Sequence, residues 1–273
     1  MRLDRALVAR GLARSRTHAQ QLLARHLVTV NGRAVDKASL ETGDDARVEV
    51  ASEGTDYVSR AAHKLLGALD ACPEIAVEGR LALDVGASTG GFTQVLLERG
   101  AARVHAIDVG HGQLSPQVAA DPRVRVREGL NARELTPADL GGDRPDLVVA
   151  DVSFISLTLL VRPLVSTLAD TADLLLMVKP QFEVGRERLG RGGVVTDADD
   201  RARAVATVAS SLVQEGVAIH RIAASPLPGP HGNVEFFVWG SRAWQAKGHG
   251  ARPRPLDEAE VRAAIAEQTG GTP

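Results

Sequence analysis

The 273-residue chain has one cysteine, Cys72, so it can form no intrachain disulfide and no cysteine-based metal cluster. This fits a reducing cytoplasm, with Cys72 as a buried structural thiol. Aromatic residues make up only 3% of the chain, which argues against nucleic-acid recognition by base stacking on aromatic platforms. No apolar run approaches the ~20 residues needed to span a bilayer. The longest candidate, Leu147 to Val161, carries Asp151. Arg2, Asp4 and Arg5 stand where a signal peptide would need an apolar core. Also missing is a Gly-Lys-Ser/Thr after the glycine-rich turn, which argues against a phosphate-cradling P-loop. The expectation is a cytoplasmic protein with no membrane contact and no metal.

Around that turn the rest of the chain is arranged. Leu81-Ala82-Leu83-Asp84-Val85 reads as a buried strand, Gly86-Ala87-Ser88-Thr89-Gly90-Gly91 as a tight turn, and Phe92 to Leu97 as a helix start. Glycines let a ligand approach the backbone, and a helix N-terminus offers unpaired N–H groups. The pattern Asp-x-Gly-x-x-x-Gly-Gly differs from the dinucleotide fingerprint but suits a nucleotide-like cofactor.

Charge is unevenly spread. Residues 1–40 hold eight basic residues (Arg2, Arg5, Arg10, Arg14, Arg16, Arg25, Arg33, Lys37) against Asp4 and Asp36. The head is thus +6 and the remainder −8, for a net charge of −2. A small basic head on an acidic body points to a polyanionic partner. Within it, 2–11 reads as a helix closed by Gly11, Ser15 can cap a second helix over 16–26, and Val28 to Val35 alternates around Asn31-Gly32, a hairpin signal. Val48 and Val50 supply another strand. Residues 1–50 therefore form one module, 51–56 a small polar linker, 57–240 a second domain, and 241–273 a tail with a helix near 256–267. Ser59 is a plausible cap for a helix whose stripe is Ala62, Leu65, Leu66 and Leu69, with Arg60 and Lys64 on one face.

From 80 to 240 strands and helices alternate: strands at 81–85, 103–107, 124–127, 147–151, 173–179, 217–223 and 234–239; helices at 92–99, 112–120, 156–169 and 199–215. This is an α/β doubly wound, mostly parallel sheet. The short, proline-rich link 225–232 forces the last two strands to pair antiparallel. In such sheets ligands bind beyond the carboxyl ends of the strands. Those ends carry Asp84, Asp108, the group Glu128-Gly129-Leu130-Asn131, Asp151 and Lys179. Asp108 suits ribose hydroxyls, Asn131 an adenine, and Asp84 the other end of the cofactor. An antiparallel last strand begins at this edge, which brings in Glu235. The helix before strand one runs opposite to it, which brings in Lys64. Geometry gathers Lys64, Asp151, Lys179 and Glu235 there.

This Lys–Asp–Lys–Glu set resembles the tetrad of FtsJ-like RNA 2′-O-methyltransferases. The longer strings Val58-Ser59-Arg60-Ala61-Ala62-His63-Lys64-Leu65, Asp84 to Thr93, Asp108 to Leu114, Asp151 to Leu157, Val178 to Gly185 and Pro228 to Glu235 resemble the S4-domain rRNA methyltransferases also labelled hemolysin A. His111 departs from an expected Tyr. The head resembles the S4 RNA-binding domain through Arg2-Leu3-Asp4, Gly11 to Arg16 and Val28 to Gly32. The resemblance implies a Rossmann-like methyltransferase sheet, mostly parallel with one antiparallel strand near its end, behind a small α+β S4 domain. It implies S-adenosylmethionine (SAM) as cofactor, held by Asp84, Gly86, Ala87, Ser88, Gly90, Gly91, Phe92, Asp108 and Asn131. It implies ribosomal RNA in ribosomal subunits as partner, met by Arg2, Arg5, Arg14, Arg16 and Arg60. By the same resemblance the acceptor is a cytidine ribose in large-subunit rRNA, and in longer members small-subunit rRNA too.

Lys179 is then the base or alkoxide-stabilising group, oriented by Asp151, with Lys64 and Glu235 positioning the ribose. Cytosine C5 chemistry would need a cysteine nucleophile at the edge, and Cys72 precedes strand one. Exocyclic-amine methylation would favour Asn/Asp-Pro-Pro-aromatic where Asp151-Val152-Ser153-Phe154 stands. The basic, glycine-rich stretch 184–193 is a candidate RNA-contacting loop. Two other readings stay open: a non-catalytic RNA-binding assembly factor that keeps the fold, and a membrane-lytic protein.

Overall fold

A computed structural model describes residues 1–24, 28–43, 46–50, 57–242 and 253–270. The chain divides into two compact units, Met1–Asp56 and Tyr57–Pro273. The expected linker, 51–56, lies outside the described residues.

In the first unit, α1 (Leu3–Ala9) and α2 (Arg16–Ala24) precede β1 (Val28–Val30), β2 (Arg33–Val35) and β3 (Val48–Val50). The first helix is shorter than expected. Its cap is Arg10, and Gly11 follows in the left-handed region at φ +70°. Leu12 N–H donates to Leu7 O and Gly11 N–H to Val8 O, so the glycine closes a Schellman motif. Ser15 Oγ accepts the His18 amide at 3.1 Å, as its capping role requires. Asn31 and Gly32 both take positive φ between paired Val30 and Arg33, the two-residue hairpin their sequence encodes. The antiparallel order is β2-β1-β3, and Leu3, Leu7, Leu22, Leu23 and Val28 form the small core.

The second unit runs α3 (Ala61–Ala71), β4 (Leu81–Val85), α4 (Gly91–Glu98), β5 (Arg103–Asp108), α5 (Pro116–Ala119), β6 (Val124–Glu128), β7 (Leu147–Ala150), α6 (Thr158–Thr167), β8 (Asp173–Val178), α7 (Pro180–Glu183), α8 (Ala198–Gln214), β9 (Ala218–Ala224), β10 (Phe236–Ser241) and α9 (Glu258–Thr269). The sheet order is β6-β5-β4-β7-β8-β10-β9. Among the described strands of this sheet, β10 alone runs against the rest, pairing antiparallel with β8 and β9. Alternate residues feed two cores, as the period-2 pleat dictates. Leu83, Val148, Leu174 and Leu176 meet α6 and α8, while Ala82, Val149, Leu175 and Met177 meet α3 and α4.

Several expectations need correction. The helix expected over 112–120 is only α5, because the Glu128 carboxylate accepts the amides of Gly112, Gln113 and Leu114 at 2.6, 2.8 and 3.2 Å and holds them as a loop. The same amides draw the Glu128 pKa below its ordinary value. Ser59 does not cap α3. Arg60 occupies that position, and Ser59 Oγ accepts the Ala61 amide. Asp151, Lys179 and Glu235 stand just outside their strands rather than within them. In the tail, α9 starts behind Asp257, whose carboxylate accepts the Glu260 amide while Glu260 reaches back to the Asp257 amide. Leu256 N–H donates to Ile219 O, Gln268 Oε1 accepts the Ala224 amide and Arg201 donates to Thr269 O. The tail thus covers β9, the strand at one edge of the sheet. No helix among the described residues is long and apolar enough to cross a membrane.

Candidate active site

The turn after β4 is built by φ values that side chains resist. Gly86 lies at φ +82° and Gly90 at +97°, with Ser88 at +48° between them. A Cβ on Gly86 would stand 2.7 Å from Asp151 O, so only glycine lets the turn touch the end of β7. Asp84, expected at the cofactor, lies beneath the turn instead. It is fully buried, its Oδ2 accepts the Thr93 hydroxyl at 2.6 Å, and its Oδ1 has no hydrogen-bond partner among the described residues. Burial pushes its pKa up to about 7.

Two cavities open at the carboxyl edge. The larger, about 630 Å³, lies within the range of small-molecule sites. It is lined by Gly86, Ser88, Asp108, Gln113, Asn131 and the strand-end loop Asp151–Ile155. Asp108 Oδ2 accepts the Ser88 amide at 2.8 Å and Oδ1 the Gly110 amide at 2.7 Å. Each oxygen keeps acceptor capacity for a further hydroxyl. Asn131 faces the same cavity while its Oδ1 accepts the Arg133 amide. A carboxylate beside a glycine turn, with an apolar wall of Ile107, Leu130 and Ile155, fits an adenosine-bearing cofactor. The smaller cavity, about 220 Å³, is bounded by Arg60, Ala87, Gly91, Phe92 and Lys179. Gly86, Ser88, Asp151 and Ser153 line both cavities.

The four polar residues gathered by sequence form two ion pairs. Lys179 Nζ lies 2.6 Å from Asp151 Oδ1. Lys64 Nζ lies 2.5 Å from Glu235 Oε2 and 3.9 Å from Met177 Sδ. The first pair lines the smaller cavity. The second is buried behind it and lines neither cavity, and Gln181 Nε2, 3.5 Å from Glu235 Oε1, ties it to α7. Gly90 lines neither cavity either. A side chain there would strike Leu114 and Val118.

Sequence reasoning gave no role to Ser153, which accepts from Lys179 Nζ at 2.8 Å. Its signal is a hydroxyl two residues after an acid at a strand end. Thr93 and Gln113 were given no role either, although both lie within strings that carry the family resemblance. Phe154 is 91% exposed at φ +64°, with its ring centroid 5.3 Å from that of Phe182.

In the first unit, Arg2 Nε and Arg16 Nη2 lie 3.2 and 2.9 Å from the buried Asp4 carboxylate. Hydrogen bonds from these guanidiniums hold Asp4 down to about 2. Arg5 and Arg14 are exposed. In the second unit Arg60 is exposed and donates to Pro228 O at 3.4 Å.

Residues 57–242 match the FtsJ-like methyltransferase family and residues 1–45 the S4 domain. The chain is 51% identical over 252 residues to the 16S/23S rRNA (cytidine-2′-O)-methyltransferase TlyA of Mycobacterium tuberculosis, covering 90% of this chain and 93% of that one. It is 36% identical to Hemolysin A of Brachyspira hyodysenteriae, over 87% and 98% of the two chains. A solved Streptococcus thermophilus structure that carries the hemolysin name superposes with a TM-score of 0.71 at 34% identity, over 98% and 94% of the two chains.

Proposed function

The chain belongs to the FtsJ-like methyltransferase family, with an S4 domain ahead of the methyltransferase fold, and from that premise we propose that it methylates the 2′-hydroxyl of cytidine in ribosomal RNA. The observation that carries this reading is the Lys179–Asp151 pair, set at the junction of two cavities with Ser153 as its third member.

When bound, SAM supplies a sulfonium methyl group open to in-line displacement. Asp108, Asn131 and the Gly86–Phe92 turn would hold it in and beside the larger cavity. An acceptor oxygen entering at the junction of the two cavities would meet Lys179 there. A ribose 2′-hydroxyl is a weak acid and sheds its proton as it attacks. Lys179 Nζ meets that oxygen, taking the proton as base when unprotonated, or stabilising the developing alkoxide as a donor when protonated, with the proton then passing to solvent water. Asp151 and Ser153 fix its direction, which places the reacting groups without a search. Lys64 and Glu235 act from behind, setting the floor of the site.

The S4 unit supplies the docking surface, with Arg5 and Arg14 meeting phosphates and with no dependence on aromatic stacking. The partner is a ribosomal subunit in the cytoplasm. The 51% identity to a 16S/23S enzyme favours activity on both subunits. A non-catalytic assembly factor is disfavoured by the retained Lys179–Asp151 pair. The test is incubation with methyl-labelled SAM and separated ribosomal subunits, followed by mass-spectrometric mapping of the nucleotide. Label on a cytidine 2′-oxygen is expected. No label on either subunit would favour the binding module.

A further inference from the structure

Asp151 and Lys179 stand on two different loops, one after β7 and one after β8. Their 2.6 Å separation depends on how those loops are held together. The α6 helix that closes the first loop begins after Leu157, whose N-cap position supplies no side-chain cap. Its cap comes from the other loop. Glu183, the last residue of α7, accepts the Leu157 amide on Oε1 at 2.8 Å and the Ser156 hydroxyl on Oε2 at 2.6 Å. Ser156 Oγ in turn accepts the Thr158 amide at 3.2 Å. A carboxylate at a helix start also meets the positive end of the helix dipole. The Phe154–Phe182 ring contact joins the same two loops.

We infer that Glu183 is a positioning residue for methyl transfer, capping α6 from the β8 loop and thereby clamping Asp151 and Ser153 opposite Lys179. The inference rests on the methyltransferase reading above. Glu183 lines neither cavity, so it acts through the loops and not on either ligand. Its loss frees an N–H and a hydroxyl and lets the two loops drift apart. A misplacement near 1 Å costs on the order of 10²-fold in rate.

The test compares Glu183→Ala, Glu183→Gln, Ser156→Ala and the Glu183→Ala/Ser156→Ala double variant with the wild-type chain. It reads kcat and KM for SAM on ribosomal subunits, S-adenosylhomocysteine affinity by calorimetry, and thermal melting. Glu183→Ala should lower kcat by about 10- to 100-fold, with KM and S-adenosylhomocysteine affinity within about threefold. Glu183→Gln should recover most of the rate, because an amide oxygen can still accept from Leu157 N–H while its NH₂ donates to Ser156 Oγ. The two alanine changes should be non-additive, since both open one clamp. Should Glu183→Ala fail to fold, Ser156→Ala alone decides: a lowered kcat at constant KM supports the clamp, and an unchanged kcat overturns it. Equal losses of affinity, rate and melting temperature in a folded Glu183→Ala would also overturn it, as would additive effects. Absence of methylation by the wild type would instead sink the reading on which the inference rests.

Discussion

Lys64 and Glu235, 171 positions apart in the chain, meet at 2.5 Å in a buried ion pair behind the site. Charges taken from water in this way are tolerated only together. Removing one partner of such a pair typically costs about 3–5 kcal/mol, because the other is left uncompensated. Lys64→Met and Glu235→Gln should therefore each lower the melting temperature and the rate together. A double Lys64→Met/Glu235→Gln variant should regain stability but not rate. Denaturant melts of the three proteins check this, and single variants as stable as the wild type would refute it.

Lys179→Ala should behave differently. Lys179 faces the cavity junction, so its removal should abolish methyl transfer while the affinity for S-adenosylhomocysteine stays within a few-fold, because the contacts it removes are made in the transition state. Calorimetry and a single-turnover assay separate the two quantities. Near-normal turnover would remove Lys179 from the mechanism.

Asp84 makes a pH-dependent prediction. Its pKa rises from the ordinary 3.8 to about 7 in the folded chain. Between those values the folded state keeps a proton that the unfolded state has released, so stability declines as pH rises across that window. Asp84→Asn cannot ionise and retains an oxygen for the Thr93 hydroxyl. Its stability relative to the wild type should climb from about pH 4 to about pH 7. A difference that is flat with pH would count against a protonated Asp84.

The S4 arginines should divide into two kinds. Arg14→Ala should weaken RNA binding about evenly across sequences and reduce the salt slope by about one. Arg16→Ala should also cost the first unit stability, because Arg16 holds Asp4. Asp4 has its pKa lowered to about 2, so its contribution is present above about pH 4 and is lost as pH falls toward 2. Acid titration of the two variants distinguishes them: Arg16→Ala should unfold at higher pH than Arg14→Ala. Equal acid transitions would show that the Asp4 pair does not matter.

Truncation before residue 253 should expose β9. That strand presents Ile219 O and Ala224 N–H to the tail, and an uncovered edge invites pairing between chains. Lower melting temperature and concentration-dependent light scattering are expected. A truncated chain that stays monomeric and equally stable would deny the tail this role.

The fold and the edge of the site were legible because both follow from periodicity and direction. Buried strands at 81–85 and 173–178 alternate with helices, and an antiparallel last strand has to start where the parallel ones end. The pairing within the edge was not legible. Sequence placed Lys64, Asp151, Lys179 and Glu235 around one point, whereas side-chain reach divides them into a cavity-lining pair and a buried one. Asp84 was assigned to the cofactor because it ends a strand, yet the pleat turns it under the helix toward Thr93. Loop 112–115 was expected to be helical, but Glu128, 14 to 16 residues later, takes its amides, and no local pattern records that.

The position of β10 between β8 and β9 has a consequence for synthesis. The glycine turn, Asp108, Asp151 and Lys179 are all synthesised before residue 200. Glu235 arrives only with the hairpin that slots β10 into the sheet. Until it does, Lys64 has no counter-charge and β8 lacks a neighbour. The buried charge pair behind the site is therefore completed by the strand of the sheet that is made last.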